Sequence, residues 1–90
     1  MEYLFLKHPK TVNALAEEII RVTNDYNARQ IGFEELKTIV HWYASNYGNK
    51  LFNGMDDYNP TVKKTIGQRR IKLIDKLLEG YQITRFKGVI

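Results

Sequence analysis

The sequence predicts one small, mainly α domain built from three helices. Three observations carry that expectation. Apolar residues recur at three- and four-residue steps in three separate stretches, the period of a helix that buries one face. Turn-forming residues separate those stretches, first around residues 27–32 and then across residues 48–60. The chain has 90 residues, with 43% hydrophobic and 27% charged, which is the balance of a single folded domain rather than a disordered chain.

Residues 1–7 are rich in aromatic and branched side chains and alternate weakly. They read as a short strand or as an extended arm laid on the body. Pro9 suits a first helical turn, where its missing N–H is no loss. From there to about Asn27, Val12, Leu15, Ala16, Ile19, Val22, Thr23 and Tyr26 form one stripe, with Glu17, Glu18, Arg21 and Asp25 opposite. A second helix starts near Phe33, with Leu36, Ile39, Val40, Tyr43 and Tyr47 on its buried face. Glu34 and Glu35 sit in its first turn, where the helix dipole favours acids. Gly48 stands where a left-handed terminator is expected. The short loop between the two helices makes them antiparallel neighbours.

Residues 48–60 are irregular. Asn53-Gly54 signals a turn, and Leu51 and Phe52 are expected to anchor the loop in the core. Asn59 and Pro60 resemble a helix start, with Asn as cap and Pro in the first position. The third helix runs from about Thr61 to Glu79, either continuous through Gly67 or bent or broken there. Ile71, Ile74, Leu77, Leu78 and Tyr81 make its stripe, Leu73 lies at the edge, and Gly80 would terminate it. In the tail, residues 81–90, Ile83, Phe86, Val89 and Ile90 suggest a strand that pairs with residues 2–6, although two lone strands are marginal unless helices cover them.

Composition excludes several functions. The chain has no cysteine, so it has neither disulfides nor thiolate metal sites. No apolar run approaches the roughly 20 residues of a membrane span, and the N-terminus does not read as a signal peptide. A cytoplasmic location in a bacterial host cell is the expectation. Residues 1–60 carry a net charge of −2 and residues 61–90 a net charge of +6. That polarity suits a polyanion or an acidic protein partner. It also suits a merely solvated helix face.

No enzyme constellation stands out, so we expect a non-enzymatic protein without cofactor or metal. No glycine-rich phosphate loop is present. His8 and His41 lack a patterned partner, and His41 reads as a surface or half-buried residue beside Trp42. Glu17-Glu18 and Glu34-Glu35 are adjacent on helices, so their carboxylates diverge. Asp56-Asp57 reads as a weak cation site or, more simply, as a turn or cap without the calcium-loop pattern.

The basic segment holds the main candidates for contact: Lys63, Lys64, Gln68, Arg69, Arg70, Lys72 and Lys76. If the helix is continuous, Lys64, Gln68, Lys72 and Lys76 form a single row, with Arg69 beside it. Such a row repels itself unless solvent or an anion compensates. If Gly67 is instead a turn, Gln68, Arg69 and Arg70 open a second helix, as in a helix-turn-helix that reads the major groove. An ordinary solvated face explains the same residues. Trp42 falls at the flank of the second helix's stripe, as an interface anchor or as a core-edge residue. Arg85, Phe86 and Lys87 mix charge with an aromatic ring that could stack on a base or fill a protein groove.

Asn49-Lys50-Leu51-Phe52, then Val62-Lys63-Lys64, then Gly67-Gln68-Arg69-Arg70-Ile71 with Ile74, Leu77 and Leu78 resemble a family. It is a small uncharacterised family of single-domain proteins from Gram-positive bacteria and their phages or plasmids. The resemblance covers most of the first 80 residues, and the tail beyond Tyr81 looks like an extension. The family more usually has Lys at the position of Gln68. The resemblance implies no activity, cofactor or catalytic residue, but it does imply a mobile-element setting.

Two functions follow as expectations. One is a protein-binding inhibitor or adaptor, phage- or mobile-element-encoded, acting on a host protein. The other is a nucleic-acid-binding accessory or regulatory protein that uses the basic third-helix face. A homodimer is expected as an option for either.

Overall fold

Thr11 starts the first helix. Its Oγ1 accepts the backbone N–H of Ala14 at 3.0 Å, satisfying one of the orphan donors of the first turn. This is a computed structural model, and it describes residues 4–53 and 57–78. Four helices follow in order: α1 Val12–Asn27, α2 Phe33–Asn46, α3 Gly48–Leu51 and α4 Pro60–Leu77. The mainly α expectation stands. The count of three does not, because α3 is an additional single turn. Pro9 is buried ahead of α1 rather than placed in its first turn, since Thr11 provides the stronger cap.

α1 closes with a reciprocal pair of backbone bonds. Gln30 N–H donates to Asp25 at 2.8 Å, and Arg29 N–H donates to Tyr26 at 3.0 Å. That is the Schellman arrangement, and it needs a left-handed residue at the Arg29 position. Arg29 adopts φ 65° there, without glycine's freedom. Ile31 then drops into the core, and Gly32 precedes α2. The Glu35 carboxylate accepts the Gly32 N–H at 3.0 Å, which is one half of a capping box.

Gly48 does not terminate α2 in a left-handed conformation. Tyr47 (φ −132°, ψ 34°) breaks the helix, and Gly48 opens α3. The extra turn drives Leu51 fully into the core. Asn53 N–H donates to the Asp57 carbonyl at 2.9 Å, and an isolated bridge joins Phe52 to Tyr58. The two rings stack at 5.6 Å between centroids. This bridge is the extent of β structure among the described residues. The expected strand at residues 2–6 is not found over 4–6, and the tail that was to pair with it lies outside the described residues.

Asn59 caps α4 as its sequence implies, its Oδ1 accepting Thr61 N–H at 2.8 Å, with Pro60 in the first turn. α4 is not straight. Gly67 sits at φ 86°, ψ 163°, far from helical geometry and in a region essentially reserved for glycine. The helix is therefore two segments, residues 60–66 and 68–77.

The core joins all four helices. Leu15, Ile19 and Val22 of α1 meet Val62, Ile66, Ile74 and Leu77 of α4, and this is the most extensive helix pair. Leu36, Val40 and Tyr43 of α2 and Leu51 of α3 close the cluster. Each fully buried aliphatic side chain stabilises by roughly 1.5–3 kcal/mol relative to exposure.

The chain ahead of α1 is an extended arm held mostly by side chains. Tyr43 Oη donates to the Leu6 carbonyl, and Trp42 Nε1 donates to the Lys7 carbonyl at 2.9 Å. Arg21 Nη2 donates to the Leu4 carbonyl at 3.1 Å, and Glu18 accepts Leu6 N–H at 2.8 Å. Phe5 packs edge-on against Tyr43, and His8 Nδ1 lies 2.7 Å from Tyr47 Oη.

Candidate functional site

The cations of α4 fall into two groups. Lys63 and Arg70 are occupied within the fold. Lys63 Nζ lies 3.0 and 2.9 Å from the two oxygens of Asp57. This contact holds the exposed Asp57 carboxyl below the usual carboxylate range, helped by the Tyr58 N–H. With its oxygens engaged this way, Asp57 acts as a turn residue, and Asp56 lies outside the described residues.

Arg70 turns inward. Its Nε donates to Thr23 Oγ1 at 2.9 Å, Nη2 to Asn24 Oδ1 at 2.7 Å and Nη1 to the Ile66 carbonyl at 3.1 Å. The last acceptor lies at the end of the first segment of α4, beside the Gly67 break. The guanidinium fork thus ties the break to α1. Arg70 is a structural clamp, unlike its neighbour Arg69.

Lys64, Arg69, Lys72 and Lys76 are exposed, and none has an acidic partner among the described residues. At about 100° per residue, Gln68, Arg69, Lys72 and Lys76 share an arc of about 100° on the solvent side of the second segment. Ile71, Ile74, Leu77 and Leu78 occupy the opposite side and are buried. The continuous row from Lys64 to Lys76 does not form, because Gly67 interrupts the helical register between Lys64 and Gln68. The surviving row is Gln68, Lys72 and Lys76, flanked by Arg69. Asp75, the acid of this segment, accepts Tyr58 Oη at 2.5 Å. Burial, reinforced by that carboxylate, raises the Tyr58 phenol above the usual tyrosine range.

Trp42 is half-buried, with its indole N–H spent on the arm and the His8 ring edge-on at 6.1 Å. It braces the arm. His41 is also half-buried, its Nε2 lying 2.8 Å from the Leu77 carbonyl. Arg85, Phe86 and Lys87 lie outside the described residues. No group of three or more metal-ligating side chains occurs among the described residues.

The structure adds a feature that sequence reading missed. A groove of about 480 Å³ runs between α1 and the second segment of α4, lined by Thr23, Tyr26, Asn27, Arg69, Arg70 and Leu73. A second depression of about 610 Å³ continues from it past Tyr26 and Asn27 to Arg29 and Glu35. Tyr26 is half-buried and meets Phe33 edge-on at 6.4 Å, and Phe33 is 37% exposed. No local pattern marks this groove, since its walls come from residues more than 40 positions apart.

No helix among the described residues is long and apolar enough to cross a membrane. No curated protein and no solved structure matches the chain. One family does match, over residues 6–79, and it is described as a conserved hypothetical protein. That span holds all four helices and the exposed basic arc, so the chain belongs to this family, CLB_0814, through its entire helical body.

Proposed function

We propose that the protein is a binding protein whose exposed arc on α4 contacts the phosphates of a nucleic acid. The observation that carries this reading is the sorting of cations. Lys63 and Arg70 are consumed by internal partners, whereas Lys64, Arg69, Lys72 and Lys76 are exposed and form no ion pair with an acid among the described residues. Like charges at helical spacing destabilise the helix, and phosphate contact reverses that cost. Three such contacts, from Arg69, Lys72 and Lys76, on a duplex give a salt slope of about −2.7, or about a fortyfold loss of affinity between 50 and 200 mM salt. Fluorescence anisotropy with labelled nucleic acid tests this directly. Lys72→Glu with Lys76→Glu should weaken binding and flatten the slope. Absence of binding at about 50 mM salt overturns the reading.

A second reading, an inhibitor or adaptor from a phage or other mobile element that acts on a host protein, is favoured by a different observation. Leu4 is 81% and Leu6 45% exposed on the arm. An apolar arm of this kind suits a protein groove. Leu4→Ser with Leu6→Ser should then abolish capture of one stoichiometric partner. Unchanged capture by that variant counts against this second reading.

A further inference from the structure

We infer that the nucleic acid recognised is single-stranded, with an unstacked base lodged against Tyr26 in the groove between α1 and α4. The inference rests on the nucleic-acid reading above and names its substrate class.

Three features converge. First, the groove opens onto the cationic arc, because Arg69 belongs to both. A backbone that follows Lys76, Lys72 and Arg69 is led to the groove mouth. Second, the groove presents an aromatic ring. Tyr26 lines both the groove and the depression beyond it, and Phe33 packs edge-on against its ring. A duplex keeps its base faces stacked inside the helix. A single strand can offer a base face to an aromatic side chain. Third, the groove holds polar groups suited to a base edge. Asn27 is exposed at its wall, and its amide both donates and accepts. Arg70 lies at the floor and keeps the two helices at fixed separation through Thr23 and Asn24. The volume, about 480 Å³, falls within the usual range for a small-ligand cleft. The acid in the adjoining depression, Glu35, is engaged with Gly32 N–H.

The complementarity therefore has two parts, with cations outside for phosphates and an aromatic, amide-lined concavity for a base. Arg29 at the far end of the depression supplies a further positive charge beyond Tyr26. A strand that enters past Arg69 and leaves past Arg29 meets a cation at each side of the ring.

The test uses the full chain and fluorescein-labelled oligothymidylate of roughly 12 nucleotides, within the range of single-strand site sizes, against a mixed-sequence duplex of equal length. The expected result is tighter binding of the single strand. Tyr26→Leu, which keeps apolar bulk and removes the ring, should lose about five- to a hundredfold in affinity, while Tyr26→Phe keeps it. Arg69→Gln, at an exposed site outside the core, should weaken both probes. Thermal melts establish that each variant folds. Equal or tighter duplex binding, or a folded Tyr26→Leu variant with unchanged single-strand affinity, overturns this inference. If Lys72→Glu with Lys76→Glu still weakens binding in that case, the basic-face reading survives it. Failure of both probes to bind at low salt overturns both proposals together.

Discussion

The Nε–H of Arg70 meets the buried hydroxyl of Thr23 at 2.9 Å, joining residues 47 positions apart. Thr23 Oγ1 in turn lies 2.9 Å from the Ile19 carbonyl and 3.0 Å from that of Ile20. Its proton goes back to its own helix, so its lone pair is free to accept from the arginine. Two helices are thereby registered through one hydroxyl.

Arg70→Met should destabilise the fold by about 2 kcal/mol, since hydrogen bonds from a charged donor are lost and Thr23 is left buried with an unused acceptor. For a domain of this size that lowers Tm by about 8–16 °C. Arg70→Lys should recover little, because an ammonium lacks the fork that reaches three acceptors. Thermal and urea melts check both. Arg69→Gln, one residue away, should leave Tm within about 2–4 °C of the parent.

Gly67→Ala should cost about 1–3 kcal/mol through backbone strain alone, since φ 86° disfavours any Cβ while a built Cβ meets nothing within 4 Å. Gly32→Ser should have the opposite sign. Gly32 lies at φ −90°, ψ 175°, which any residue adopts, and a serine hydroxyl there can cap α2. A gain of about 0.5 kcal/mol in urea melts is expected.

Arg29→Gly should stabilise by up to about 1 kcal/mol. The left-handed φ of 65° penalises the arginine Cβ, and glycine removes that penalty while giving back part of it through a looser unfolded chain. The midpoint of urea unfolding should rise without a change in slope.

Acid should loosen the arm. The Arg21 guanidinium holds the Glu18 carboxyl below its ordinary pKa, opposed by burial and assisted by Leu6 N–H. A depressed folded pKa gives stability that is present above the unfolded value and lost as pH falls through the folded one. The parent should therefore lose stability on the acid side, and Glu18→Gln should lose less over the same range. Melts from neutral pH down to about 3 give the comparison. Equal acid dependence of the two proteins would refute this role for Glu18.

The sequence by itself determined the helices at α1, α2 and α4, the Asn59 cap with Pro60, and the placement of Leu51 and Phe52 in the core. These follow from periodicity and short-range hydrogen bonding, which are local. It left Gly67 open between continuity and a break, and backbone geometry decided for the break. It placed Gly48 as a terminator, yet burial of Leu51 made it the start of another turn. It counted Arg69 and Arg70 as equals. On a helix, neighbours point about 100° apart, so one faces solvent and the other faces Thr23 and Asn24. Trp42 read as an interface anchor or as a core-edge residue, and its indole contact with the Lys7 carbonyl is one that only the tertiary structure brings about. The Tyr26 groove exists only where α1 crosses α4. Such features depend on which distant residues meet, and tertiary packing alone brings them together.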